Sequence, residues 1–318
     1  MSEGEQKKAI ASVRFLARTI LTDRRRHSSL IFLIILAGAV LGGGFLAWRL
    51  WPRRPLPALL LTAYDQLALP TKPTRLAAQL EPLDSAEPSD SLSDCELFFQ
   101  RGQEQPTRVQ ADRAGFGFAP ASFPAAGPQQ EFLVRFHDPL GRQRGQETHG
   151  RAFVWPEESS ILVVDVDAGL TATATEELWQ RNSLNIQPVP GVAQALRDVR
   201  RTHRIVYLSE SANGPGRYAK LRAWLERSAP AQDQLPTGPL LAVATENVEH
   251  DAAFAPSKAA WIKQNFKGKL AAVSARPSFA QVFLEAGYTA IVVGGKTEAV
   301  PGMRRSKSWA ELAEHLKP

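Results

Sequence analysis

Two aspartates one residue apart, Asp165 and Asp167, follow the apolar run Ile161, Leu162, Val163 and Val164. A carboxylate at a strand end can be held at fixed geometry to attack phosphorus. A second carboxylate two residues on points to the same face and can donate a proton to the leaving group. Anionic oxygens also need positive charge and hydrogen-bond donors. Leu208-Ser209-Glu210-Ser211 closes a second apolar run and supplies hydroxyls there, and Lys258 opens a later helical stretch with an ammonium. Asp165, Asp167 and Lys258 are the candidate catalytic residues. Ser209, Glu210 and Ser211 are the candidate substrate-binding residues. Read singly, each has a plainer role: the aspartates as a strand end and turn cap, the serines as loop residues, Lys258 as a solvated helix-start lysine. Their order along the chain is what makes them a candidate site.

The elements that must position these residues come from periodicity. ILVVD (161–165), RIVYL (204–208), PLLAV (239–243), KLAAV (269–273) and AIVVG (290–294) read as short apolar strands. PGVAQALRDVRR, GRYAKLRAWLERS, SKAAWIKQNF and PSFAQVFLEAG lie between them with apolar residues at helical spacing. Strands buried on both faces with crossover helices predict a parallel α/β sheet, whose sites lie at the carboxyl ends of its strands. Upstream the texture differs. TRLAAQLE (74–81), CELFFQRG (95–102), PTRVQAD (106–112), GFGFAPAS (115–122) and EFLVRFHD (131–138) alternate and are separated by Pro, Gly, Ser and Asp clusters. That spacing predicts a β-sandwich over 73–150. DRAGFGF reads as a tight turn at Gly115, and GRQRGQETHG as a polar linker between two separable domains.

DVDAGLT (165–171), YLSESANGPGRYAKLRAWL and LPTGPLL (235–241) together resemble the haloacid dehalogenase (HAD) superfamily, and within it the catalytic domain of lipin-type phosphatidate phosphatases. The resemblance implies a HAD-like (Rossmann-like) α/β fold over 158–318. It also implies Asp165 as nucleophile, Asp167 as general acid/base, Ser209 as phosphate-binding hydroxyl and Lys258 as stabilising cation. Mg2+ would be the cofactor, with Asp165 and Asp167 among its ligands. The chain departs from the pattern in two places. Ala168 and Gly169 stand where the first motif carries other residues, Gly169 in place of its threonine. In VSARPSFAQVF, Ser274 and Ala275 occupy the fourth-motif pair and Phe279 the later acid, which removes oxygen ligands from a hard cation.

The 318 residues carry a formal charge of +6, but 10 Lys+Arg against 3 acids lie in residues 1–54. The rest is close to neutral, which argues against a basic nucleic-acid-binding face. Cys95 is the only cysteine, so no intramolecular disulfide forms. SSLIFLIILAGAVLGGGFLAW (28–48) is uncharged and long enough to cross a bilayer. The sequence therefore predicts a basic cytoplasmic tail (1–27), a transmembrane helix (28–51) and a proline-spaced juxtamembrane linker (52–72). Seven Lys+Arg precede the span and three follow, which predicts a single-pass membrane protein with a cytoplasmic N-terminus and an extracytoplasmic, periplasmic body. Gly38 and Gly42 would allow a homodimer through that helix. Residues 7–21 read as a surface-lying basic helix or a disordered tail. His203 is expected on the surface, and Glu246, Glu249 and His250 in a solvated loop.

Three functions fit these observations. One is a membrane-anchored phosphomonoesterase, with phosphatidate as a fitting substrate. Another is a related domain with weakened or lost Mg2+-dependent activity that retains binding of a phosphorylated small molecule or lipid. The third is a structural envelope interaction protein. Loss of the fourth-motif oxygens favours the second.

Overall fold

The computed structural model describes residues 56–316 except 57, 84–91, 142–143, 172–178, 180–185, 213, 215, 228–232, 243–253 and 295–299. The tail, the 28–51 span, the Gly38/Gly42 pair, the 7–21 stretch and Glu246, Glu249 and His250 lie outside the described residues. Among the described residues no helix is long and apolar enough to cross a membrane.

Strands dominate. The first eight are β1 (Leu59–Ala63), β2 (Gln66–Ala68), β3 (Thr74–Pro82), β4 (Glu96–Gln100), β5 (Thr107–Gln110), β6 (Phe116–Ala121), β7 (Gly127–His137) and β8 (Gln146–Val154). They form a three-stranded sheet, β1-β3-β6, and a five-stranded sheet, β2-β8-β7-β4-β5. Inward residues of both sheets make one core, with Leu61, Leu76 and Ala119 on one side and Leu97, Phe132 and Val154 on the other. Cys95, which forms no disulfide, is buried in it. Gly115 holds the turn into β6 at φ +82°, and a Cβ there would come within 2.2 Å of the Leu80 carbonyl oxygen. Asp112 Oδ1 closes that turn by accepting from the Ala114 and Phe116 amides.

The remaining strands are β9 (Ile161–Asp165), β10 (Arg204–Ser209), β11 (Leu240–Ala242), β12 (Leu270–Ser274), β13 (Thr289–Val293) and β14 (Arg304–Ser306). They pair in parallel in the order β11-β10-β9-β12-β13-β14. Among the described residues five short helices accompany them: α1 (Val192–Val199), α2 (Arg217–Leu225), α3 (Phe254–Asn265), α4 (Pro277–Glu285) and α5 (Leu312–His315). β9 is buried on both faces. Leu162 and Val164 enter one core and Ile161 and Val163 another. Each such side chain contributes about 1.5–3 kcal/mol, which offsets the cost of ending the strand on a buried acid.

Several expectations need correction. The α/β, HAD-like (Rossmann-like) class expected over 158–318 does not describe the body as a whole: among the described residues fourteen strands, eight of them in two sandwiched sheets, stand against five helices of at most twelve residues. The 52–72 linker contains β1 and β2, so the sandwich begins well before 73. The polar stretch 141–150 is largely the first half of β8 rather than a linker. Leu56–Pro318 is one compact unit, not two separable ones. Its sheets share cores: Tyr64, Ala77 and Phe116 pack with Leu162 and Val164, and Leu67, Phe153 and Trp155 with Ile161 and Val163. Buried polar groups tie the same seam. Tyr218 Oη meets the Asp65 amide at 2.7 Å, and Arg222 pairs with Asp65 at 3.1 Å.

Candidate functional site

Register brings the candidate residues together. β9 lies between β10 and β12, with Asp165 opposite Leu208 and Val164 opposite Val273. The carboxyl ends of three neighbouring strands therefore present Asp165, Ser209 and Ser274 at one sheet edge.

Asp165 is fully buried and its two oxygens are shared among four donors. Oδ1 accepts from the Asp167 amide at 3.0 Å and from Arg276 Nη2 at 2.9 Å. Oδ2 accepts from the Ser274 hydroxyl at 2.5 Å and from Arg276 Nε at 2.8 Å. The Arg276 contacts form a two-pronged guanidinium–carboxylate pair, the strongest geometry available to these groups. Asp167 is held as completely. Its Oδ1 accepts from the hydroxyls of Ser209 and Ser211 at 2.7 and 2.6 Å, and its Oδ2 from the amides of Glu210 and Ser211 at 2.7 and 3.0 Å.

Arg276 is placed by its neighbours in sequence. Pro277 opens α4, and the residue before a proline is driven to extended backbone; Arg276 sits there at φ −97° and ψ 115°. Its amide donates to Ser274 Oγ at 2.7 Å. Its guanidinium lies over the Phe279 ring at 5.3 Å, so the residue standing in the expected acid position supports a cation instead. Gly169 has φ +96°, and a Cβ there would be 3.0 Å from the Ala275 Cβ. The two departures from the motif pattern, at 169 and at 274–275, thus touch.

Burial pushes the Asp165 carboxyl above its ordinary range, while the Arg276 fork and the Ser274 hydroxyl pull against it and the Asp167 charge adds to it. Burial works against the Arg276 charge as well. Asp165, Asp167 and Glu210 outweigh it and carry the guanidinium above its ordinary value. Arg276 Nη2 lies 3.2 Å from the Glu210 carboxylate and 3.9 Å from that of Asp167. Three acids surround one cation, a balance that does not attract a phosphate.

Lys258 is buried in α3, with its ammonium 5.7 Å from the Phe254 ring centroid. The cation paired with Asp165 is Arg276, which lies in a stretch, 273–283, whose residue types stand out in the sequence only for their lack of acids. The available signal was an arginine between a strand end and a helix-opening proline. His203, expected at the surface, is buried, and burial lowers its pKa. Mg2+ fails a direct test of fit. Each of the four oxygens of Asp165 and Asp167 already accepts from two donors, which leaves no lone pair directed at an ion. No group of three or more potential metal ligands occurs among the described residues.

No family model matches the chain, and no curated protein matches it. Solved structures similar to parts of it include a protein described as membrane anchored from Corynebacterium diphtheriae, at 15% identity and TM-score 0.25, covering 32% of this chain and 22% of that one. The tandem Ig repeats of Dlar match at 8% identity and TM-score 0.23, covering 36% and 61%. Titin M4 matches at 8% identity and TM-score 0.21, covering 31% and 95%. The chain thus spans about a fifth of the first and three fifths of the second. These neighbours are immunoglobulin-like or membrane anchored, and at TM-scores of 0.25 or below they carry no argument about the fold or activity of this chain.

Proposed function

We propose that this chain is a non-catalytic interaction protein, in which the carboxylate cluster holds the parallel sheet's edge together and the whole body serves as a scaffold. The observation that carries this reading is the bidentate Arg276–Asp165 pair, which occupies the carboxylate a nucleophile would need. A carboxylate whose lone pairs are spent on a guanidinium and a hydroxyl is a poor attacking group. Support for a scaffold comes from the shared cores that make Leu56–Pro318 one unit. We place this body on the extracytoplasmic side of a membrane, on the charge asymmetry around the uncharged run 28–48.

The test is a phosphomonoesterase assay of the full chain in neutral detergent, with Mg2+ and with p-nitrophenyl phosphate or phosphatidate. Turnover indistinguishable from that of Asp165→Asn is the expected result. Vigorous Mg2+-dependent hydrolysis that disappears in Asp165→Asn overturns the reading.

A further inference from the structure

At the opposite edge of the same sheet lies a concavity of quite different charge. It has a volume of about 840 Å³ and is lined by Arg200, Arg201 and Arg204, with Ser159, Thr237 and Trp155. Glu158 is the one acid among its lining residues. Ser160 precedes β9 and Asp165 ends it, so at about 3.3 Å per residue the groove and the carboxylate cluster are about 16 Å apart.

The three arginines come from one short stretch. Arg200 and Arg201 follow the last turn of α1, and Arg204 begins β10 after a tight turn. Arg204 is held in place: its Nε donates to Ser159 Oγ at 3.2 Å and its guanidinium lies over the Trp155 ring at 5.3 Å. Among the described residues nothing accepts from its two terminal nitrogens. Arg201 has a loose, solvent-exposed pairing with Asp198 at 3.7 Å, a contact worth little in water. Arg200 has no carboxylate partner among the described residues. Burial, and after it the nearby Arg200 charge, lower the Arg204 pKa.

We propose that this groove is a binding site for a phosphate-bearing anion, received by the forks of Arg200, Arg201 and Arg204 with Ser159 and Thr237 as hydroxyl donors. Planar guanidinium forks match phosphate oxygens bidentately, and three of them on one concave wall suit a multiply charged group. The same chemistry is offered by a soluble phosphate ester and by a phospholipid headgroup. The proposal goes beyond the reading of the carboxylate cluster and stands apart from it, because it concerns another edge of the sheet and no turnover.

Titration calorimetry of the full chain in neutral detergent tests it, with inorganic pyrophosphate and with monomeric dihexanoyl phosphatidate as probes and citrate as the comparison anion. Saturable binding of either phosphate probe is expected, weakened by added salt. Pyrophosphate as the tighter probe marks a soluble ligand, and phosphatidate as the tighter one marks a headgroup. The exposed pair Arg200→Ser with Arg201→Ser should weaken binding about tenfold or more while leaving the melting temperature unchanged. Arg200→Lys with Arg201→Lys should restore part of it. Absence of saturable binding, indifference to the serine pair, or citrate binding as tightly as pyrophosphate overturns the proposal.

Discussion

Arg276→Ala removes two of the four donors on a fully buried carboxylate, leaving Asp165 with the Ser274 hydroxyl and the Asp167 amide. Breaking a buried ion pair by deleting one partner costs about 3–5 kcal/mol. The Arg276 side chain is 35% exposed, so water can enter the vacated space and solvate the carboxylate in part. We therefore expect a loss of about 2–3 kcal/mol near neutral pH, at or below the bottom of that range. For a unit of this size that corresponds to about 5–10 °C in melting temperature. The sign of the pH dependence follows from Asp165. Burial already raises its folded pKa, and losing the guanidinium raises it further. Below the ordinary aspartate value the carboxyl is protonated in folded and unfolded chains alike, so the variant loses little there. The deficit grows as pH rises through the folded value. Denaturant unfolding of wild type and variant, followed by tryptophan fluorescence at about pH 4 and pH 8, measures this. A deficit under about 0.5 kcal/mol at the higher pH, or one equal at both, refutes the claim that Arg276 neutralises Asp165.

Three further outcomes follow from single contacts. Ser209→Ala deletes a hydroxyl that donates to Asp167 and accepts from the Ala212 amide, and should lower unfolding free energy by about 1.5–3 kcal/mol in the same assay. Gly115→Ala forces a Cβ against the Leu80 carbonyl at positive φ, and should cost at least about 2 kcal/mol or abolish soluble expression. Glu81→Gln keeps an acceptor for Thr62 Oγ1 and the Gly216 amide while removing a carboxyl whose pKa burial raises. Because the folded glutamate holds its proton more tightly, wild-type stability falls as pH climbs from the ordinary glutamate value through the raised one; the glutamine variant should show a flatter profile and greater stability at alkaline pH.

Much of the strand pattern was legible in the sequence. The five apolar runs from 161 to 294 are β9 to β13, because a strand buried on both faces needs an uninterrupted apolar run. β1, β2 and β8 were not legible. β1 and β2 sit among prolines that read as a linker, and the first half of β8 is exposed at alternate residues and so reads as polar loop. At the site, Asp165, Asp167 and Ser209 could be placed because strand ends fix them. Arg276 could not, because its role depends on β12 lying beside β9, a pairing of residues more than a hundred apart that local periodicity does not encode. Lys258 looked like a helix-start lysine at a sheet edge, yet its ammonium is turned onto Phe254.

The central claim is that the carboxylates of Asp165 and Asp167 are fully taken by protein donors. Mn2+ is a close stand-in for Mg2+ and its electron paramagnetic signal reports bound ion directly, so a titration of the full chain with Mn2+ tests the claim without any substrate. Wild type should show no stoichiometric site, and Arg276→Ala, with two oxygen positions released, should show a weak one. A stoichiometric wild-type site that Mg2+ displaces and Asp165→Asn abolishes would contradict the account.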